Sequence, residues 1–334
     1  MTAALVRGDE VLRGVIMENP LKVFPGSASR KLTAAICERL SIPVGECETI
    51  RFSEGNIFVR VLENVRGADC FVVQATGAPV NDNFMELLFW IDALKRASAS
   101  GVTAVVPFFS YAKGDKKDEP RVSIRARVCA DMIEAAGADR VLTMDLHAPQ
   151  IQGFFKIPVD HLYAMTALCE RVRELVGRDV VVVSPDVGFG KQARKYGTLL
   201  DASVAIGDKY RSGHDERPAV LHVIGEVREK TAVIVDDFVT TGGSMVEMAE
   251  ALLELGVKRV LGAATHGVMS EGAAERLDRS PIEKLLITDT VESHAESLSG
   301  KVEVVSVAGL FAEAVKSIHE RTSISKLFPE EIQH

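Results

Sequence analysis

An apolar run at residues 232–235 ends in two adjacent aspartates, Asp236 and Asp237. Thr240, Thr241, Gly242, Gly243 and Ser244 follow, and an apolar-periodic segment opens at once over 245–255. Few folds accommodate that order. A short, unbroken apolar run reads as a strand buried on both faces, which is a parallel strand of an α/β sheet. Glycines let backbone amides crowd around an anion, and the helix start adds partial positive charge. One turn therefore offers a phosphate cradle beside two carboxylates. A phosphorylated sugar needs that pairing, with amides around the phosphate and carboxylates accepting from hydroxyls. Ribose 5-phosphate suits it better than a bare nucleotide. A Gly-Gly turn between strand and helix is common in α/β proteins. The carboxylates set this one apart, because neighbours of like charge repel until solvent, a metal or a ligand relieves them. No Gly-Lys-Ser/Thr closes the loop, so it is not a Walker A motif.

The rest of the chain alternates in the same way. Apolar strand candidates fall at 23–24, 70–74, 104–107, 141–145, 180–183, 203–206, 232–235, 260–264, 285–288 and 302–306. Helical periodicity falls at 29–40, 83–97, 124–136, 165–176, 245–255 and 309–321. The fold class is α/β, with mostly parallel sheets flanked by helices. At 334 residues there is room for two such domains. A weak repeat agrees: Gly, Arg, Val, Leu and His recur at one offset in 137–147 and 256–266. If the halves are duplicates, the first-half counterpart of the acidic loop is expected at 75–82, and a site should lie in the cleft between them. The break is expected near residues 157–161, giving domains of 18–158 and 159–328, with the last helix packing back on the first.

A net charge of −8 argues against a nucleic-acid partner. No apolar run reaches membrane-spanning length, and Arg7, Asp9 and Glu10 argue against a signal peptide. The five cysteines show no metal-like or Cys-x-x-Cys spacing, as expected of reduced thiols in a cytoplasmic protein. The first fifteen or so residues read as a poorly ordered extension.

Several further stretches are distinctive. They are Arg51-Phe52-Ser53-Glu54-Gly55, Ala78-Pro79-Val80-Asn81-Asp82-Asn83, Asp145-Leu146-His147-Ala148-Pro149-Gln150, Val183-Ser184-Pro185-Asp186 and Ile206-Gly207-Asp208-Lys209-Tyr210-Arg211. With the Asp-Asp loop they resemble the ribose-phosphate pyrophosphokinases from about residue 20 to Phe328. The resemblance implies two phosphoribosyltransferase-like domains, ATP on the N-terminal side and ribose 5-phosphate in the C-terminal loop. The implied reaction moves the pyrophosphoryl group of Mg-ATP to the C1 hydroxyl of ribose 5-phosphate and releases AMP. Such chemistry needs positioning, metal ions and cations more than covalent help.

Roles follow from the matches. Lys209 and Arg211 would close over the triphosphate as catalytic cations. Asp236, Asp237, Thr240, Thr241, Gly242, Gly243 and Ser244 would bind ribose 5-phosphate. Phe52, Glu54, Asn56, Lys113, Asp115 and His147 would bind ATP, with the Phe52 ring on adenine. His147 and Asp186 would associate with Mg²⁺, although an imidazole is an unusual ligand for so hard an ion, and Asp186 could equally cap a turn. Departures cluster on the ATP side. The usual Arg-Gln-Asp-Arg-Lys is Lys113-Gly114-Asp115-Lys116-Lys117, which keeps charge but loses the planar guanidinium fork. Asn56 replaces a glutamate and Thr240 a frequent third acid. The chain therefore reads as a divergent paralogue. A non-catalytic regulatory homologue and a phosphoribosyltransferase consuming the product are the alternatives. The resemblance also implies a homo-oligomer, a dimer or hexamer built through N-terminal domains.

Overall fold

The computed structural model describes residues 19–177, 179–210, 220–270, 272–292 and 298–328. In chain order the first half contains β1 (Leu21–Pro25), α1 (Arg30–Leu40), β2 (Cys47–Arg51), β3 (Ile57–Val61), β4 (Asp69–Val73), α2 (Val80–Arg96), β5 (Gly101–Val106), α3 (Arg125–Ala136), β6 (Arg140–Met144) and β7 (Val159–Leu162). The second contains α4 (Met165–Leu175), β8 (Val180–Ser184), α5 (Gly190–Leu200), β9 (Ser203–Tyr210), β10 (Val220–Ile224), β11 (Thr231–Val239), α6 (Gly243–Glu254), β12 (Arg259–Gly267), α7 (Ala273–Arg279), β13 (Lys284–Thr288), β14 (Val302–Val305) and α8 (Ala308–His319).

Two parallel sheets organise these elements. One has the order β1-β4-β5-β6-β7 and the other β10-β9-β8-β11-β12-β13-β14, where only the β9–β10 pair is antiparallel. The all-apolar runs become central strands because helices cover both faces, and β8 is buried at all five positions. The α2 helix buries Phe84, Leu87, Leu88, Trp90, Ile91 and Leu94, the three-to-four spacing of a helix laid on a sheet. A core shared by the two halves joins Leu32, Ile36, Phe71 and Leu142 to Val182, Val233, Phe311 and Val315. Through it the last helix, α8, packs on α1.

All ten expected strands and all six expected helices form. The elements not foreseen are the β2–β3 hairpin, β7, β10, α5 and α7. Because β7 pairs with β6, the sheets part between Leu162 and Val180, later than the expected cut after residue 158. Another difference bears on function. β11 does not stop at the acidic pair but continues to Val239, with Asp236 beside Ala264 and Phe238 beside His266. The repeat also maps differently from expectation. Matching β6 to β12 makes β5–α3 the counterpart of β11–α6, so the first-half partner of the acidic loop is the 107–124 connection and not 75–82. The extension before residue 19 lies outside the described residues. No helix among the described residues is long and apolar enough to cross a membrane.

Candidate active site

The β11–α6 turn builds its cradle from backbone. Gly242 caps α6 at φ +73°, a conformation that glycine tolerates best. Thr240, Thr241 and Ser244 are exposed, and the first-turn amides of α6 have no intrahelical acceptor. Two contacts brace the loop from behind. Arg276 of α7 donates to the Thr241 carbonyl at 2.6 Å, and the Ser270 amide donates to the Thr240 carbonyl at 2.9 Å.

The carboxylates before it are locked by their neighbours. The Asp237 amide donates to Asp236 Oδ1 and the Phe238 amide to Asp237 Oδ1, each at 2.9 Å. Burial, reinforced by the charge of Asp237, holds the Asp236 carboxyl well above the usual carboxylate range. Burial is the largest influence on Asp237 and works against ionising it, but the hydrogen bonds from His147 and Asp236 and the charges of His147 and His266 together outweigh it, and the net direction is down. The two neighbours are thus pushed in opposite directions, Asp236 toward its protonated form and Asp237 toward its ionised form.

His147 comes from the other domain. It follows the end of β6, and its Nδ1 lies 2.5 Å from Asp237 Oδ2. That bond raises the His147 pKa, with burial opposing. Lys113, in the 107–124 connection, places Nζ 3.9 Å from the centre of the Phe238 ring, a cation–π contact. His147 meets the same ring at 5.9 Å. Lys113, His147, Asp237 and Phe238 therefore form one cluster spanning the two sheets, and Asp115 adds a negative charge close enough to act on His147.

Not every expected residue joins it. Phe52, Glu54 and Asn56 occupy the exposed tip of the β2–β3 hairpin. There Phe52 contacts Phe58 at 6.4 Å, and Asn56 donates to Glu54 at 3.4 Å. Among the described residues these two strands form a sheet of their own, apart from the two larger sheets whose ends carry Lys113 and His147. Asp186 is exposed after β8 and accepts from the Phe189 amide at 3.0 Å, a turn-capping contact. It still lies near enough to Asp236 to raise its pKa. Lys209 pairs through its backbone with Leu221; its side chain and all of Arg211 lie outside the described residues. The structure adds Phe238 and Arg276 to the site. No motif singled out Phe238, a lone aromatic after the acidic pair, and Arg276 lies in a helix without a strong apolar period.

The fold and the site together define a two-domain α/β protein of phosphoribosyltransferase-like architecture, with its acidic loop at the junction. Residues 21–137 match the N-terminal domain of ribose phosphate pyrophosphokinase, and residues 200–329 match the phosphoribosyl synthetase-associated domain. The ribose-phosphate pyrophosphokinase of Caldanaerobacter subterraneus subsp. tengcongensis is 50% identical over 311 residues, covering 93% of this chain and 98% of that protein. That of Thermotoga maritima is 46% identical over 313 residues, covering 93% and 98%. The crystal structure of phosphoribosylpyrophosphate synthetase from Mycobacterium smegmatis aligns with a TM-score of 0.86 at 39% identity, covering 91% of this chain and all of that one. This chain belongs to the ribose-phosphate pyrophosphokinase family.

Proposed function

We propose that the chain is a ribose-phosphate diphosphokinase, transferring the pyrophosphoryl group of ATP to the C1 hydroxyl of ribose 5-phosphate and releasing AMP. One observation carries the reading at this site: the sugar loop of one domain meets a histidine and a lysine of the other, through the His147–Asp237 and Lys113–Phe238 contacts. A two-substrate transfer needs such a junction, because the attacking hydroxyl and the β-phosphorus must be held in line.

In this reading the amides and hydroxyls of Thr240, Thr241, Gly242, Gly243 and Ser244 take the 5-phosphate. Asp237, biased toward its ionised form, accepts from a ribose hydroxyl, and Asp236, biased toward its protonated form, can donate as well as accept. Lys113 faces the triphosphate, with Asp115 beside it. Lys209 and Arg211 supply the catalytic cations, and Phe52, Glu54 and Asn56 hold the adenosine. Among the described residues no three His, Cys, Asp or Glu side chains form a ready-made metal cage. Mg²⁺ binds through one or two carboxylates, substrate phosphates and retained waters. Asp186, His147 and the acidic pair are the groups that would hold it. When bound, it neutralises phosphate charge and orients the transferring group.

The domain division is placed in the connector between the sheets, so that β7 stays with the N-terminal domain. Homo-oligomer formation through N-terminal domains is supported by exposed apolar side chains there, Phe58, Leu62, Met85, Phe89, Val128 and Met132. A cytoplasmic location accords with five free cysteines.

The test is to incubate the purified chain with ATP, ribose 5-phosphate, Mg²⁺ and inorganic phosphate and to follow AMP. AMP well above that of a Lys209→Ala variant is expected. AMP no higher than the variant's would overturn the reading and favour a regulatory homologue.

A further inference from the structure

A buried polar cluster behind the site has no part in the scheme above. Asp145, which follows β6, sits at φ +37°, a left-handed backbone uncommon for a residue other than glycine. Its Oδ2 accepts from the Ala164 amide at 2.9 Å and from the Thr265 hydroxyl at 2.7 Å. His266 Nε2 lies 3.2 Å from the Asp145 carbonyl, and His266 Nδ1 lies 2.8 Å from the Thr290 hydroxyl. Tyr196 is buried close enough to Asp145 and Thr265 for both to act on its hydroxyl. Thr265 and His266 are at most 2% exposed. Asp145 belongs to the first sheet's domain, whereas Thr265, His266, Thr290 and Tyr196 belong to the second.

Consecutive strand residues ordinarily point to opposite faces, yet Thr265 and His266 both reach Asp145. β12 carries one extra residue against β13 between Ala263 and His266. A bulge of that kind re-aims side chains. On the far side, the Leu146 amide donates to His161 Nε2 at 2.8 Å. Residues 145 and 146 are therefore held from both domains, and the next residue is His147.

The His147–Asp237 contact cannot fix the domain angle itself, because His147 is half exposed and solvent weakens such a pair. Buried hydrogen bonds are different: each demands its partner, so the cluster is satisfied in one relative placement of the domains only. We infer that Asp145, Thr265 and His266 form an interdomain rivet and are positioning residues that hold His147 against Asp237. The kinetic consequence rests on the diphosphokinase reading; the structural consequence does not.

A double-mutant comparison on the full chain tests the inference. Thr265→Val removes the hydroxyl and keeps the shape. It is expected to lower kcat for AMP formation roughly tenfold, in line with loss of a hydrogen bond to a charged group, with KM values little changed. Thr265→Ser should restore kcat. In a His147→Ala background the same Val substitution should lower kcat less than twofold, because the rivet acts through His147. An equal fold-loss in both backgrounds, or none in either, would overturn the inference. Hydrogen exchange supplies the arm that needs no turnover. Amides 145–148 should exchange faster in Thr265→Val and at the native rate in Thr265→Ser; unchanged exchange in the Val variant overturns the rivet even where the wild-type chain makes no AMP. If Thr265→Val does not fold, Thr290→Val, which loosens His266 instead, carries the same comparisons.

Discussion

Replacing Asp237 by asparagine isolates the charge that joins the two halves of the site. The substitution keeps the shape, so no cavity opens; the amide oxygen can replace Oδ1 and accept from the Phe238 amide, and the NH2 at the Oδ2 position can donate only to the Nδ1 of a neutral His147. What disappears is the charge assistance. Hydrogen bonds to ionised groups contribute about 1.5–3 kcal/mol and neutral ones about 0.5–1.5. The difference is about 1 kcal/mol at this bond, taken from the low end because the His147 side chain is 42% exposed. That corresponds to about fivefold in an equilibrium. If Asp237 also accepts a ribose hydroxyl, the loss in kcat/KM for ribose 5-phosphate grows by roughly another ten- to hundredfold. The direct assay is NMR titration of the His147 ring, assigned with a His147→Gln variant. Its pKa is raised first by the Asp237 hydrogen bond and should fall in Asp237→Asn. The neighbouring Asp236 should ionise more readily at the same time, because the charge on Asp237 contributes to its raised pKa. A His147 titration unchanged by the substitution would refute the charge-assisted bond and the electrostatic account of the acidic pair with it.

Other consequences test the frame around the site. Gly207→Ala would put a Cβ 2.1 Å from Met248 Cε and 2.9 Å from the Pro185 carbonyl oxygen. Overpacking against that backbone should destabilise by about 1–3 kcal/mol, read from a denaturant midpoint, and should disturb the strand end that carries Asp186. Phe311→Ala empties a fully buried position in the core shared by both halves; a loss of about 3–5 kcal/mol in a single cooperative transition is expected, and separate unfolding of the two sheets would contradict the shared core. Burial pushes the His161 imidazole down to about 3 from an ordinary 6.5, and its Nε2 accepts from the Leu146 amide. Between those values the unfolded chain binds the extra proton, so this residue's stabilisation is complete above pH 6.5 and is lost as pH falls, by up to about 1.4 kcal/mol per pH unit. Asp145, held near 6 by burial, acts in the opposite sense, so the measurement is the wild-type slope of stability against pH minus that of His161→Asn. That difference should be positive below pH 6.5.

What could be read from the sequence follows from where the physical signal is local. A five-residue apolar run such as 180–184 has few alternatives to a central strand. The 3.6-residue period of α2 is legible because its buried face is built of large residues. The α5 helix escaped because its buried face is Gly190, Ala193, Tyr196 and Gly197, and glycine leaves no hydropathy signal. The β2–β3 hairpin and β7 are short and half exposed, so their patterns stay weak. At the site, His147, Lys113 and the acidic loop could be found from motifs. The role of Asp145 could not, since it depends on two residues 120 positions or more away. Only the repeat hinted at it, by setting His266 in register with His147.

That register has a consequence for how the cleft works. Duplicated halves would be expected to present equivalent histidines with equivalent duties. Here they diverge by burial and by partner. His266 is enclosed, its pKa is pushed down to about 4 by that burial, and it serves as a neutral link between a threonine and a backbone carbonyl. His147 is half exposed, and its pKa is raised by a carboxylate from the opposite domain. A neutral, enclosed imidazole has its hydrogen-bonding capacity committed inside the protein, and so it can fix geometry. An accessible one, its proton favoured by a carboxylate, keeps part of its ring open to the cleft. The acidic pair shows the same division, with Asp236 pushed toward its protonated form and Asp237 toward its ionised form. In both pairs, chemically identical side chains are separated into distinct tasks by how far each is withdrawn from water and by which domain supplies its partner. A cleft assembled this way keeps its charge balance only while the two domains stay in register, so domain placement and site electrostatics are one property of this fold.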